Sequence, residues 1–263
     1  MFRVNNDVDV EMLQFQIIIN CGPCEAYIQE CIRSVRAQTY SSWAVFVSVD
    51  PWGESTFDRA VEVCEGEPRI SLARNPERRF AMDNLVRGIE RSDAAPEDVI
   101  VVLDGDDWFR SNDALLTIAA TYRDTGCWMT YGSWLSNVPE MPGRWPAYPD
   151  GTTNFRQVRW LGTAVRTWKK WLWDLVDDRD FRDDEDSYFR HTEDLATMFP
   201  MLEMSGTDRA RHIDEPLMLY NRPNPASAVE IWREKVRLRD CQRNSRLIRN
   251  RPPYPRLEGG GPG

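Results

Sequence analysis

The sequence predicts an α/β protein: a parallel sheet with helices packed on its faces. Apolar, mostly β-branched runs alternate with stretches of helical spacing through the first half of the chain. The run Val99-Ile-Val-Val-Leu103 is apolar without interruption, which suits a strand buried on both faces. That run passes directly into Asp104-Gly105-Asp106-Asp107, and the carboxyl ends of strands are where open α/β sheets hold their ligands.

The elements follow in order. Residues 12–20 contain Phe15-Gln-Ile-Ile-Ile19 and form the first strand. Residues 25–37 place Tyr27, Ile28, Cys31, Ile32 and Val35 on one helical face. Trp43 to Val49 is the second strand, ending at Asp50, and Pro51-Trp52-Gly53 breaks the chain. A helix over 56–64, a strand over 69–72, a helix over 81–90 and the strand over 99–103 complete a β-α-β-α-β-α-β series. A helix over 112–122 follows, with Ser111 as its N-cap, then a strand over 127–131. The stretch 136–150 carries Pro139, Pro142, Pro146 and Pro149 and reads as a loop flanked by Trp134 and Trp145. Spacing predicts a Trp-rich amphipathic helix over 164–176, whose Trp168, Trp171 and Trp173 fit core positions. Residues 177–186 are acidic and exposed, and 192–204 is a helix that opens on Thr-Glu-Asp. A last strand over 216–220, a charged helix over 231–248 and a flexible Pro/Gly-rich tail close the chain.

The chain has 263 residues and a net charge of −9, enough length for a sizeable core and a balance that disfavours a general nucleic-acid or anionic-membrane surface. A solvated helix face accounts for Arg233, Arg237, Arg239, Arg243, Arg246 and Arg249. The N-terminus lacks a signal-peptide pattern and no apolar run reaches the length of a membrane span. Six cysteines are scattered rather than framed as a disulfide scaffold, which fits a reducing cytoplasm. Only His191 and His212 are present, so a multi-histidine zinc site is excluded and a general base falls to a carboxylate.

Two patterns carry chemistry. Three carboxylates crowded at 104–107 call for a positive partner, and a hard divalent cation with oxygen ligands is the natural one. A cation held there can stabilise a departing diphosphate. Asp-Gly-Asp also serves as a simple turn. Cys21-Gly-Pro-Cys24, between a strand and a helix, has the form of a thiol–disulfide redox motif. Against it stand the chain's length, Asn20 in place of the tryptophan that precedes such motifs, and the unexplained acids at 104–107. An ordinary tight turn is the simpler account.

The runs Ile17-Ile18-Ile19, Tyr27-Ile-Gln-Glu-Cys-Ile-Arg-Ser-Val35, Gln38-Thr39-Tyr40, Trp43 and Val49-Asp50 resemble the start of family 2 glycosyltransferases, which have the GT-A fold. Leu103-Asp-Gly-Asp-Asp107 is similar to their Asp-x-Asp motif, and Thr192-Glu193-Asp194 to their later Glu-Asp motif. Residues 221–227 are similar to their closing Tyr-Arg-x-His-x-x-Ser. Thr130-Tyr131-Gly132 and the stretch 198–204 resemble a subset found in phages and large viruses.

The resemblance implies a GT-A, Rossmann-like sheet, mixed and mostly parallel. The glycosyltransferase domain would span 1–227, with a nucleotide-sugar half over about 1–110 and an acceptor half over about 111–227. A C-terminal helix and flexible tail would follow over 228–263. The resemblance further implies a metal-dependent, inverting transfer from a nucleotide sugar, a UDP-sugar by family habit, with Mn²⁺ or Mg²⁺ as cofactor. Asp50 would bind the base, Asp104 the ribose or the metal, Asp106 the metal, and Asp194 would be the catalytic base. Cys21 replaces the expected Thr, and Asn224 falls where the family has its metal-ligating His. Asn84 and Arg79 lie where further nucleotide contacts are expected, and Trp108 would shape the donor pocket. Alone, Glu193-Asp194 also reads as an acidic start that offsets a helix dipole. The acceptor would be a hydroxyl, and the sequence leaves open whether it belongs to a glycan, a lipid-linked sugar, a protein side chain or a modified DNA base. A redox protein using Cys21 and Cys24, and a non-catalytic nucleotide-sugar binding module, are the alternatives.

Overall fold

The alternating series folds as expected at its centre. In this computed structural model the structure describes residues 12–51, 55–137, 143–221 and 227–259, of which 227–235 are described by their backbone alone. Strands β1 (Phe15–Cys21), β2 (Trp43–Val49), β3 (Ile70–Arg74) and β4 (Val99–Asp104) are joined by helices α1 (Ile28–Arg36), α2 (Thr56–Cys64) and α3 (Phe80–Arg91). Then come β5 (Trp108–Phe109), α4 (Ala114–Thr125), β6 (Met129–Ser136), β7 (Arg166–Lys169), α5 (Lys170–Asp174), a 3-10 turn at Asp178–Phe181, α6 (Glu193–Arg209), β8 (Ala210–Tyr220) and α7 (Ser227–Asn250). The described strands make one eight-stranded sheet in the order β3-β2-β1-β4-β7-β6-β8-β5. It is mixed and mostly parallel: β3-β2, β2-β1, β1-β4 and β6-β8 run parallel, while β7 and β5 pair antiparallel to their neighbours.

Strand alternation divides the core. Ile17, Ile19, Val45, Val47, Val101 and Leu103 pack toward α1, α2 and α4. Ile18, Phe46, Ile100 and Val102 pack toward Met82 and Leu85 of α3 and the apolar residues of α6. Continuing that second face to the carboxyl ends gives Asn20, in register with Ser48 on one side and Asp104 on the other. A polar row therefore ends the same face whose body is aliphatic.

Several expectations are corrected. The predicted helix over 164–176 is a strand followed by a short helix. Arg166–Lys169 is inserted antiparallel between β4 and β6, and sheet pairing of Val102 with Arg166 and Met129 with Trp168 overrides the helical spacing. The tryptophans of that stretch are buried, with Trp168 stacked on Trp173 and Trp173 on Phe181. The last strand begins at Ala210, because residues 210–213 already pair with 129–132. Asp113, not Ser111, flanks the start of α4; Ser111 instead gives its carbonyl to Gln38. Phe181 is buried within the otherwise largely exposed acidic stretch.

Residues 251–257 make specific contacts with the body of the protein. Tyr254 donates from its hydroxyl to Asp180 Oδ2 (2.6 Å), and its N–H donates to Glu203 Oε2 (3.0 Å). Arg256 donates to the Met204 carbonyl, and Leu257 N–H donates to the same oxygen. Beneath them Arg156 and Glu203 form a bidentate pair at 2.7 and 3.0 Å, exposed by 4% and 6%. Breaking a buried pair by removing one partner strands the other charge. Glu203→Ala should therefore destabilise the protein by about 3–5 kcal/mol, read as a drop in the urea midpoint with little change in slope.

Candidate functional site

The site lies where β1 and β4 end and α6 begins. The turn after β4 is tight: Asp107 N–H donates to the Asp104 carbonyl, and Gly105 N–H donates to the Asn20 carbonyl. A Cβ on Gly105 would stand 2.6 Å from Cys21 Sγ and 2.9 Å from Cys24 Sγ, so only glycine lets this turn rest on the two sulfurs. Cys21, Cys24 and Cys31 are thus packing groups beneath the acidic turn, and Cys31 Sγ reaches the Asp104 carbonyl at 3.6 Å. All six cysteines are free thiols. Burial, then the neighbouring Cys24, pushes the Cys21 thiol well up, the reverse of what a redox nucleophile needs. The geometry therefore disfavours the redox alternative.

The three carboxylates of the turn differ. Asp107 is buried, 1% exposed, and its Oδ1 accepts the Asn221 N–H at 2.9 Å, fastening the end of β8 to the turn. Burial and the repulsion of Asp104 and Asp106 push it up to about 9. Asp104 and Asp106 are half-buried. Burial and the charge of Glu193 push Asp104 up to about 7, against the pull of Arg166. Burial raises Asp106 as well, against Arg237 of α7.

Helix α6 delivers the other half. It opens on Thr192 in the left-handed region (φ 70°, ψ 27°), with no side-chain cap bond. Its first residues are Glu193 and Asp194. Burial and then Glu193 push Asp194 up to about 6, against Arg166. Arg166, at the start of β7, is 7% exposed and its Nη2 lies 3.5 Å from Glu193 Oε1. Burial pulls its guanidinium down, and Glu193, Asp194 and Asp104 more than restore it. Sequence reasoning missed Arg166; its signal is a lone charge inside Ala-Val-Arg-Thr-Trp, a run otherwise fit for a buried strand.

Asp50, at the end of β2, is buried and saturated. It accepts from Asn75 Nδ2 (2.9 Å), Asn84 Nδ2 (3.1 Å), Arg79 N–H (3.1 Å) and Phe80 N–H (3.0 Å). Asn84 Oδ1 in turn accepts from Ser48 Oγ and Asn75 Nδ2 at 2.7 Å each. Asp50 and Asn84 thus belong to one network that holds the 75–80 turn, where Phe80 sits at φ 64°. The Arg79 side chain is ion-paired to Asp83 at 2.9 Å. The structure therefore brings Cys21, Asp104, Asp106 and Asp194 to one place, with Trp108 half-buried just after the turn, and joins Asp50 to Asn84 beside it. Asn224 falls outside the described residues.

A divalent cation fits the donor set. Asp104 and Asp106 offer hard oxygen ligands whose charge is poorly compensated. The Asn20 amide beside Asp104 is buried with neither Oδ1 nor Nδ2 hydrogen-bonded. Among the described residues, no three His, Cys, Asp or Glu side chains converge into a closed cage. That pattern suits a cation bound through one or two carboxylates together with substrate phosphates.

The sequence profile described as Glycosyl transferase family 2 matches residues 17–181. This chain belongs to that family. No curated protein matches it. Solved structures share its GT-A fold. TarS 1-349 of S. aureus, in complex with UDP-GlcNAc, aligns with a TM-score of 0.58 at 16% identity, covering 81% of this chain and 59% of that one. Mannosyltransferase PcManGT of Pyrobaculum calidifontis, in complex with GDP-Man and Mn²⁺, aligns with 0.60 at 16%, covering 95% and 66%. Glucosyl-3-phosphoglycerate synthase of Mycobacterium tuberculosis, with Mn²⁺, UDP and phosphoglyceric acid, aligns with 0.60 at 11%, covering 91% and 80%. This chain spans about 60% of the TarS fragment. No helix among its described residues is long and apolar enough to cross a membrane.

The raised carboxylates set a pH dependence. A carboxyl group whose folded-state pKa is raised favours the fold only while protonated. Its contribution is complete below the unfolded value near 4 and lost as pH climbs through the folded value, about 7 for Asp104. In EDTA at pH 8, Asp104→Asn should be more stable than wild type by about 1 kcal/mol or more, and the advantage should vanish near pH 3. Paired thermal melts across that range check it.

Proposed function

We propose that this protein transfers a sugar from a nucleotide-sugar donor, a UDP-sugar, to a hydroxyl acceptor, with Mn²⁺ or Mg²⁺ and with inversion at the anomeric carbon. The observation that carries the reading is the convergence of the Asp104–Asp106 turn with Asp194, a carboxylate pushed up to about 6 at the start of α6. A base tuned toward neutrality is what a poor hydroxyl nucleophile needs. Family membership and fold neighbours whose complexes hold UDP, UDP-GlcNAc or GDP-Man, two of them with Mn²⁺, support the donor class.

Asp104 and Asp106 would hold the cation, which when bound offsets charge on a diphosphate. Asp194 takes the proton of the acceptor hydroxyl as its oxygen bonds to the anomeric carbon. The bond from that carbon to the diphosphate oxygen breaks in the same displacement, and the electron pair leaves with the diphosphate. Asp50 and Asn84, locked together, shape the wall for the base, with Cys21 at the end of β1; Trp108 borders the sugar. Asn224 would complete the ligand set as a carbonyl donor.

Thermal melts with UDP, UDP-GlcNAc, UDP-glucose and GDP-Man, each with Mn²⁺ or EDTA, test the reading. One nucleotide should stabilise the protein only with metal, by about 2.7 kcal/mol at 100 times its Kd, and Asp106→Ala should abolish the effect. Asp194→Asn should keep that binding and lower turnover by about 10²–10⁴-fold. No metal-dependent shift with any nucleotide would overturn the reading. Binding without turnover in the wild type would favour a nucleotide-sugar binding module.

A further inference from the structure

The start of α6 has to present Asp194 accurately, yet the chain gives it little local support. Thr192 is a β-branched residue at φ 70°, a conformation that costs free energy unless its surroundings impose it. No side chain caps the helix there. Polar contacts from distant elements help hold it. From α7, Asn244 Nδ2 donates to the His191 carbonyl at 3.2 Å. From β7, Arg166 Nη2 reaches Glu193 Oε1 at 3.5 Å.

Arg166 is well placed for that task. It lies opposite Val102 in the β4–β7 ladder, two residues before Asp104 on β4. It is 7% exposed, so its position is set by the sheet and not by solvent. The charges that face it include Glu193 and Asp194 from α6, Asp104 from β4 and Asp107 from the turn after it. A guanidinium in rigid sheet, opposite a carboxylate one residue before Asp194, fixes the rotation of the helix's first turn.

We propose that Arg166 is a positioning residue, whose ion pair with Glu193 sets the orientation in which Asp194 meets the acceptor hydroxyl. This rests on the glycosyl-transfer reading above. Asp194 does the chemistry, Glu193 carries the contact and Arg166 supplies the fixed point. A misplacement of about 1 Å at a reacting group costs about 100-fold in rate, so losing the pair should appear in kcat.

The experiment uses the full chain with Glu193→Gln, Arg166→Lys, Arg166→Met, the double variant Arg166→Met/Glu193→Gln, and Asp194→Asn for reference. Each is assayed for melting temperature, Kd for UDP with Mn²⁺, and nucleotide release from UDP-GlcNAc, UDP-glucose and GDP-Man. Glu193→Gln, nearly isosteric and retaining Arg166, should lower kcat about 10–100-fold while donor KM and UDP Kd stay within about twofold. Arg166→Lys keeps the charge and should stay within about tenfold of wild type. The double variant should be no slower than Arg166→Met alone, because both changes remove one contact. Should Arg166→Met fail to fold, Glu193→Gln and Arg166→Lys decide the matter. A folded Glu193→Gln with wild-type kcat overturns the proposal. So does a loss equal to that of Asp194→Asn, which would make Glu193 the base, or a loss that appears only in UDP Kd. A wild type that releases no nucleotide from any of these donors, whether or not it binds UDP, overturns the glycosyl-transfer reading itself, and the proposal with it.

Discussion

The repulsion among carboxylates at the carboxyl edge of the sheet is the constraint on which the rest of this structure depends. Asp104, Asp106, Asp107, Glu193 and Asp194 come together from β4, the turn after it and the start of α6, and burial raises Asp104, Asp106, Asp107 and Asp194. Gathering like charges in a half-buried place is unfavourable by itself. The fold tolerates it because Arg166 stands behind the cluster, Arg237 acts on Asp106 from α7, and the Asn221 N–H occupies Asp107. What is left least compensated is the pair Asp104 and Asp106, hard oxygen donors of the kind that suit a divalent cation.

The same edge shows how two neighbouring acids come to differ in purpose. Asp50 has four donors on its two oxygens and is a structural node, joining β2 to the turn before α3. Asp104 lies two strands away in the same sheet without such a set of donors. Between them Asn20 and Ser48 continue the polar row. The edge thus has a rigid, internally satisfied wall on one side and an electrostatically unsatisfied one on the other.

Much of this was legible in the chain. The β-branched runs at 15–19, 43–49 and 99–103 gave their strands because no competing helical period overlaps them. The acidic turn was legible because Asp-Gly-Asp-Asp follows a strand without a gap. The stretch 164–176 misled because Trp168, Trp171, Leu172 and Trp173 mimic a helical face, while the strand depends on β4 and β6, which no local window contains. Arg166 and Glu193 were hidden for a related reason: they lie 27 positions apart, and only the antiparallel insertion of β7 brings them together. The contacts of Tyr254 and Arg256 with Glu203 and Met204 were hidden in the same way, because their partners lie about 50 positions upstream.

Those partners bear on how the chain is made. Arg156 donates to the Ile248 carbonyl 92 positions away, and Glu203 receives Tyr254 from 51 positions downstream. The sheet of β1 to β4 closes from residues already present in the first 104. During synthesis the β1–β4 part of the sheet can therefore settle early, while α6 waits with the Arg156–Glu203 pair uncovered until residues near 257 have cleared the ribosome. Residues 254–257 thus seal the helix that carries Asp194, and a translation product stalled short of them would expose that helix to proteases and chaperones.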